Sequence, residues 1–346
     1  MKYLAVLGRQ PEISIAELEA TEFCTDIDRL GGTLKLAEKL NERPIEYLQK
    51  LPEGKITLGV SDYSEKASRK TATMEALKLK KILVRHGRSV RVVENKEATL
   101  STATSLHNGL SGKNERKVEL IKVEDEWYKV IGVQDIDAYA KRDQARPARD
   151  AKVGMLPPKL AQILINLCGP LKPGATILDP FCGTGVVLQE AILMGYRAYG
   201  TDISERMIEY SEKNLKHFGF DNYKVEVGDA TSFKWSEKID AVACEGYLGR
   251  PMSQAPVEIK LKTEKQECGT IVLGFLKNLA GQIKAGTPVV MAIPAWLREN
   301  GEYSRLEILD EIESLGYNVN NKSREGLLYY REGQIVARDI IILRKI

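Results

Sequence analysis

From Thr176 to Lys345, segments that read as strands and segments that read as helices take turns, and three successive strands end on an acid. "TILDPF", "RAYGTDI", "YKVEVGDA", "IDAVACE" and "TPVVMAIP" are short, apolar and rich in β-branched residues. "VVLQEAILMG", "SERMIEYSEKNLKHFG", "CGTIVLGFLKNLAGQI" and "RLEILDEIESLG" carry apolar residues at helical spacing. Repeated βα units leave little choice of fold: an α/β domain with a mainly parallel sheet covered by helices. The closing pair, "GLLYYRE" and "IVARDIIILRK", reads as a hairpin that adds one antiparallel strand to that sheet.

The acids define a site. Asp179 ends the first of these strands, and Gly183 and Gly185 flank Thr184 just before a helix. Glycines there let the backbone turn tightly and approach a ligand that a Cβ would block. Open α/β sheets bind ligands at this end of their strands. Asp202, 23 residues further, ends the next strand, where a carboxylate can accept both hydroxyls of a ribose. Asp229 ends the third strand, in position for an adenine-side contact. Strand-end Asp and Gly are also ordinary turn residues, but three in a row beside Gly-x-Gly are hard to explain as turns alone. The loop lacks the third glycine of a dinucleotide site, and Asp179 would repel a pyrophosphate. A dehydrogenase is therefore disfavoured. An acid at that point suits a ligand with an amino group and a sulfonium cation, namely S-adenosylmethionine.

At 346 residues the chain has room for two domains, and 43% hydrophobic with 29% charged residues is an ordinary globular composition. No apolar run reaches a membrane span and the N-terminus carries no signal peptide, so a cytoplasmic location is expected. Cysteines 24, 168, 182, 244 and 268 are odd in number and scattered, which argues against disulfides and a zinc site. With only three well-separated histidines, no metal is expected.

The first half mixes α and β. "KYLAVLG", "KITLGVSDYS", "SVRVVE" and "VELIKV…EWYKVIGVQ" read as strands, and "PEISIAELEA" as a helix opened by a Ser14/Glu17 capping box. "KASRKTATMEALKLKKILVRHG" reads as a helix with Met74, Leu77, Ile82 and Leu83 inward. Net charge is only +3, yet residues 66–91 hold nine Lys or Arg against the single acid Glu75. That density is either a solvated helix face or a phosphate-binding surface, with Arg69, Lys70, Lys78, Lys81, Arg85 and Arg88 as candidate contacts. The basic stretch "KRDQARPARDAKVGMLPP" reads as a linker, giving an expected division into 1–140, a linker 141–158, and 159–346.

"DPFCGTG…GTDIS" resembles the cofactor-site motifs of S-adenosylmethionine methyltransferases that modify exocyclic amines. Stretches along nearly the whole chain are similar, in order, to THUMP-containing tRNA guanine-N2 methyltransferases of the guanine-10 type. They are "MKYLAVLGRQPEISIAELEA", "SVRVVEN…LSTATSLHNGL", "VIGVQDIDAYAKRDQARPARDAKVGMLPPKLAQILINL" and "LLYYREGQIVARDIIILRK". The resemblance implies a ferredoxin-like segment with a THUMP module holding tRNA, then a Rossmann-like methyltransferase domain. It implies S-adenosylmethionine held by Asp179, Pro180, Gly183, Gly185, Asp202, Ile203, Asp229 and Ala230. It also gives the basic helix a role on tRNA phosphates.

The fourth strand normally ends, in this superfamily, in Asp-Pro-Pro-Tyr or Asn-Pro-Pro-Tyr. An exocyclic amine is a poor nucleophile, so that side chain accepts its hydrogens while the aromatic residue stacks on the base. Here the stretch is Glu245-Gly246-Tyr247-Leu248-Gly249, without either proline. In one register Glu245 replaces the acid. In the other Cys244 takes that place and the amine loses its carboxylate. The first is preferred, with Glu245 and Tyr247 as the candidate catalytic residues. The expected function is methylation of guanine N2 in tRNA. Alternatives are an RNA-binding protein that keeps the cofactor pocket without the chemistry, and a methyltransferase of another RNA or of DNA. Monomer is the default, and a small activating protein partner is left open.

Overall fold

A computed structural model describes residues 1–149, 156–320 and 327–346. The chain forms two compact units. The first takes Met1–Arg9 and Cys24–Tyr139; the second takes Gln10–Phe23 and Ala140–Ile346.

The chain begins with β1 (Tyr3–Leu7), α1 (Pro11–Ala20), β2 (Thr33–Lys39), α2 (Pro44–Gln49) and β3 (Ile56–Asp62). There follow α3 (Arg69–Arg85), β4 (Val90–Val92), α4 (Thr102–His107), β5 (Lys117–Val123), β6 (Glu126–Val133) and α5 (Ile136–Gln144). The first unit's sheet has the order β1-β2-β6-β5-β3-β4, antiparallel through β5 and parallel from β5 to β4. Helix α3 covers it with Ala72, Ala76, Leu79 and Leu83. That corrects the expected inner stripe, because Met74 and Leu77 lie outside, 59% and 50% exposed. Two alanines one turn apart let the helix axis approach the strands, which a Met/Leu stripe would hold off. Ser68 caps the helix through the Thr71 amide.

Helix α1 belongs to the second unit, where Ile13 joins the core cluster of Leu160 and Leu164. The Ser14/Glu17 capping box does not form. Pro11, whose fixed φ suits a first turn, starts the helix and leaves Ser14 inside it, bonded to the Gln10 carbonyl at 3.2 Å. Buried Glu17 instead accepts the Asn166 amide at 2.7 Å.

The second unit continues with α6 (Pro158–Leu167), β7 (Thr176–Asp179), α7 (Val186–Leu193), β8 (Arg197–Asp202), α8 (Glu205–His217), β9 (Tyr223–Val227) and β10 (Ala241–Glu245). Then come α9 (Glu258–Ala280), β11 (Pro288–Leu297), β12 (Tyr303–Arg305), α10 (Leu309–Ser314), β13 (Tyr317–Val319), β14 (Leu328–Tyr329) and β15 (Val336–Lys345). The sheet runs β13-β15-β11-β10-β7-β8-β9, parallel from β11 to β9, with β15 antiparallel to β11 and β14 turned back on β15. The mixed α/β sheet is as expected from the alternation.

Two cores sandwich this sheet. Ile177, Ala198, Ala243 and Ile340 face α6 and α7, while Leu178, Tyr199, Cys244 and Ile341 face α9. From β7 the order runs to β8 and β9 on one side and to β10 and β11 on the other. The switch point, where the sheet offers a crevice, therefore lies between β7 and β10. Of the expected linker, 150–155 lie outside the described residues. Its preceding part is anchored in the second unit: Arg142 pairs with buried Glu190 at 2.8 Å, and the Arg146 side chain is 1% exposed. Among the described residues no helix is long and apolar enough to cross a membrane.

Candidate active site

The strand register brings the sequence-predicted acids together. Asp179 pairs with Gly200 on β8, so Asp202 lies two residues beyond its level. On the other side Val242 of β10 pairs with Leu178, so Glu245 projects past the end of that pairing. By strand alternation Asp179, Asp202 and Glu245 share the sheet face of Ile177, Ala198 and Ala243, the side of α6 and α7. Asp229 follows β9 and is exposed, its Oδ1 capping its own turn through the Thr231 amide at 2.9 Å. Ala230 is buried beside it, whereas Ile203 stands 73% exposed directly after Asp202.

The glycine loop is held from every side. Gly183 donates its amide to Asp202 Oδ2 at 3.0 Å, and its carbonyl accepts the Ser211 hydroxyl at 2.8 Å. The Thr184 carbonyl accepts the Asn214 amide at 2.9 Å, and its hydroxyl accepts from Arg146 Nη1 at 3.3 Å. Gly185 sits at φ 83°, a conformation that favours glycine, and a Cβ there would stand 3.0 Å from Ser211 Oγ, a tight approach. Arg146 and the α8 residues Ser211 and Asn214 were not singled out in the sequence. They hold the loop without themselves ending a strand, so no local motif marks them.

Charge is concentrated here. Burial raises the Asp179 carboxyl well above its ordinary value, reinforced by Asp202 and Glu245, and only the Phe181 amide at 3.1 Å opposes this. Burial raises Asp202 as well, against hydrogen bonds from the Ser204 and Gly183 amides. Two confined carboxylates with raised pKa favour a ligand that brings positive charge and hydroxyl donors, which S-adenosylmethionine does. Pro180 is buried in the turn beneath them. The residues present fit that group.

At the end of β10, Glu245 is partly exposed and forms an ion pair with Arg338 of β15. Glu245 lies on the face of Asp179 and Asp202, whereas the Cys244 thiol is buried on the α9 side and its pKa pushed well up by burial. Tyr247 is half-buried, packed against the core beneath α9. Gly249, at φ 83°, passes so close to α9 that a Cβ would lie 2.8 Å from Glu264 Oε2, and that carboxylate accepts the Arg250 amide at 3.2 Å.

The basic candidates separate. Lys70, Lys78, Lys81 and Arg85 line the outer side of α3 together with exposed Met74, Leu77 and Val84. Arg69 is exposed and pairs with Glu94 at 2.9 Å. Arg88 leaves the set: its guanidinium donates to the carbonyls of Leu51 at 3.0 Å and Pro52 at 2.7 Å, and so closes a loop. No cluster of three or more metal-ligating side chains occurs among the described residues.

Residues 171–304 match the family model of a methyltransferase domain, and residues 66–213 match that of a DNA methylase. A curated tRNA (guanine(10)-N2)-dimethyltransferase of Methanothermobacter thermautotrophicus is 36% identical over 157 residues, 45% of this chain and 44% of that protein. The Pyrococcus abyssi protein of the same description is 48% identical over 79 residues, 23% of each chain. Part of this chain is homologous to these dimethyltransferases. The chain spans less than half the length of either relative. Among solved structures, TrmN from Thermus thermophilus aligns over 91% of this chain and 84% of its own at 16% identity, with a TM-score of 0.47.

Proposed function

We propose that the protein is an S-adenosylmethionine-dependent methyltransferase acting on the exocyclic N2 amine of a guanosine in tRNA, as a cytoplasmic monomer. The observation that carries this is the set of three carboxylates, Asp179, Asp202 and Glu245, on one face of the sheet around a clamped glycine turn. Homology to the dimethyltransferases supports the substrate. The bound cofactor would supply an electrophilic methyl on a sulfonium. Asp202 would accept ribose hydroxyls, Ile203 and Ala230 would flank the adenine with Asp229 at its edge, and Asp179 would face the amino and sulfonium charge. Glu245 would accept a hydrogen of the amine, orienting its lone pair, stabilising the positive charge that develops on nitrogen and taking up the proton that the methylated nitrogen releases. Tyr247 would lie against the base. Catalysis is then mostly positioning.

The deciding measurement is transfer from labelled S-adenosylmethionine to unmodified tRNA transcripts, with the product nucleoside identified by mass spectrometry. N2-methyl- or N2,N2-dimethylguanosine is expected. Cofactor and tRNA binding with no methyl transferred would instead support the binding-protein reading, which the absence of both prolines after Glu245 keeps open. Glu245→Ala should lower kcat about a hundredfold with cofactor affinity intact, as for loss of one aligned group at a developing charge. Full activity in that variant would remove Glu245 from the chemistry.

The outer face of α3 is the proposed phosphate-binding surface of a THUMP-like first unit. Replacing Lys78 and Lys81 together by alanine should lower the salt dependence of tRNA binding by roughly one unit of slope per lost contact, about two in all. An unchanged slope would place the RNA elsewhere.

A further inference from the structure

Glu245, the carboxylate given to the amine, does not stand alone at the end of β10. Arg338 Nε donates to its Oε1, and the two side chains are 7% and 17% exposed. The arginine comes from the antiparallel strand, 93 residues away in sequence. Register puts it there: Glu245 lies opposite Ala292 on β11 and Arg338 opposite Pro294, so the guanidinium reaches over β11. Arg338 shares the sheet face of Ile340, which is also the face of Glu245 and Asp179.

A buried ion pair can be a staple and nothing more, but three features of this one point to the site. The pair sits at the carboxyl ends of the strands, beside the switch point, where a ligand is expected. It engages Oε1 alone; among the described residues Glu245 Oε2 accepts no hydrogen bond and is left for a ligand. A glutamate also has one more rotatable bond than the aspartate it replaces, so its carboxylate needs an external constraint to hold one direction. The Nε–H of a planar guanidinium, fixed in direction, supplies that constraint, where a lysine would act as a point charge.

We propose that Arg338 is a positioning residue for the reaction: it fixes the Glu245 carboxylate so that Oε2 meets the amine hydrogen of the substrate base. In this reading Arg338 takes the place of the rigidity that the two prolines give in the related motif. The inference rests on the assignment of Glu245 to the amine.

The test is a mutant cycle on the full chain with unmodified tRNA transcript. Variants R338M, R338K, E245A and E245A/R338M are compared for kcat, KM for tRNA, cofactor affinity by calorimetry and thermal midpoint. R338M should lower kcat about 10- to 100-fold, the worth of a lost charge-assisted hydrogen bond, with KM and cofactor affinity unchanged. R338K, which keeps the charge and the fold, should fall between. In the E245A background R338M should cost nothing further, because there is no carboxylate left to aim. A loss in that background equal to the loss in the wild type would show a purely structural role and overturn the proposal, as would a wild-type kcat in both R338M and R338K. Absence of methyl transfer by the wild type would overturn both this proposal and the function on which it rests, and so is distinct from an additive cycle in an active enzyme.

Discussion

Asp202→Ala is expected to weaken S-adenosylmethionine binding by about 3–4 kcal/mol, roughly 10²- to 10³-fold in Kd. The size follows from what the carboxylate does at once. Its Oδ2 accepts the Gly183 amide at 3.0 Å and its Oδ1 the Ser204 amide at 2.9 Å, so it shapes the glycine turn on one side and the start of α8 on the other. Each oxygen retains acceptor capacity for a ribose hydroxyl, and a hydrogen bond to a charged group is worth about 1.5–3 kcal/mol. Alanine removes the ligand's acceptors and frees Gly183 at the same time. Asp202→Asn, which keeps one acceptor oxygen, should lose less. Calorimetric titration with the cofactor reads both, and a change under about tenfold for alanine would place the ribose elsewhere.

What the sequence made legible here was local. Asp179, Asp202 and Glu245 each close a strand whose hydrophobic run is visible by itself, so their common edge follows once the βα alternation is seen. The ion-pair partner of Glu245 is not legible in the same way: Arg338 lies in a strand that reads only as "IVARDIIILRK", and nothing within that stretch points 93 residues back. Helix α3 shows a different limit. The larger side chains Met74, Leu77, Ile82 and Leu83 suggest one inner stripe, but of these only Leu83 is buried, together with Ala72, Ala76 and Leu79. Close packing on a sheet favours the smaller side chains, which hydrophobicity alone does not reveal. Strand β2, "TLKLAEK", carries a lysine at an inward position, and a buried lysine is not expected where the sequence shows no partner for it.

That lysine carries the second large effect. Lys35 is 1% exposed and donates to the Leu100 carbonyl at 2.7 Å, Ser105 Oγ at 2.8 Å and Glu119 Oε1 at 2.6 Å. Glu119, fully buried on β5, also accepts from Ser61 and Ser105, each at 2.6 Å, and Ser61 Oγ receives the Leu100 amide at 2.9 Å. The network joins β2, β3, β5 and α4. Lys35→Met removes one charge and leaves the other in the core, at a cost of about 3–5 kcal/mol. For a unit of this size that is a fall of about 10–20 °C in its thermal midpoint. Lys35→Met with Glu119→Leu should recover a good part of the loss, because the stranded carboxylate goes too, though the serine hydroxyls and the Leu100 carbonyl must find new partners. If the double variant is no more stable than the single one, the stranded charge is not the cause. The two units also give the experiment a functional arm. Since α3 lies in the unit that Lys35 stabilises and the glycine loop in the other, Lys35→Met should lose tRNA affinity near its lowered midpoint while calorimetry still shows S-adenosylmethionine bound. Parallel loss of both ligands would mean that the units do not unfold separately.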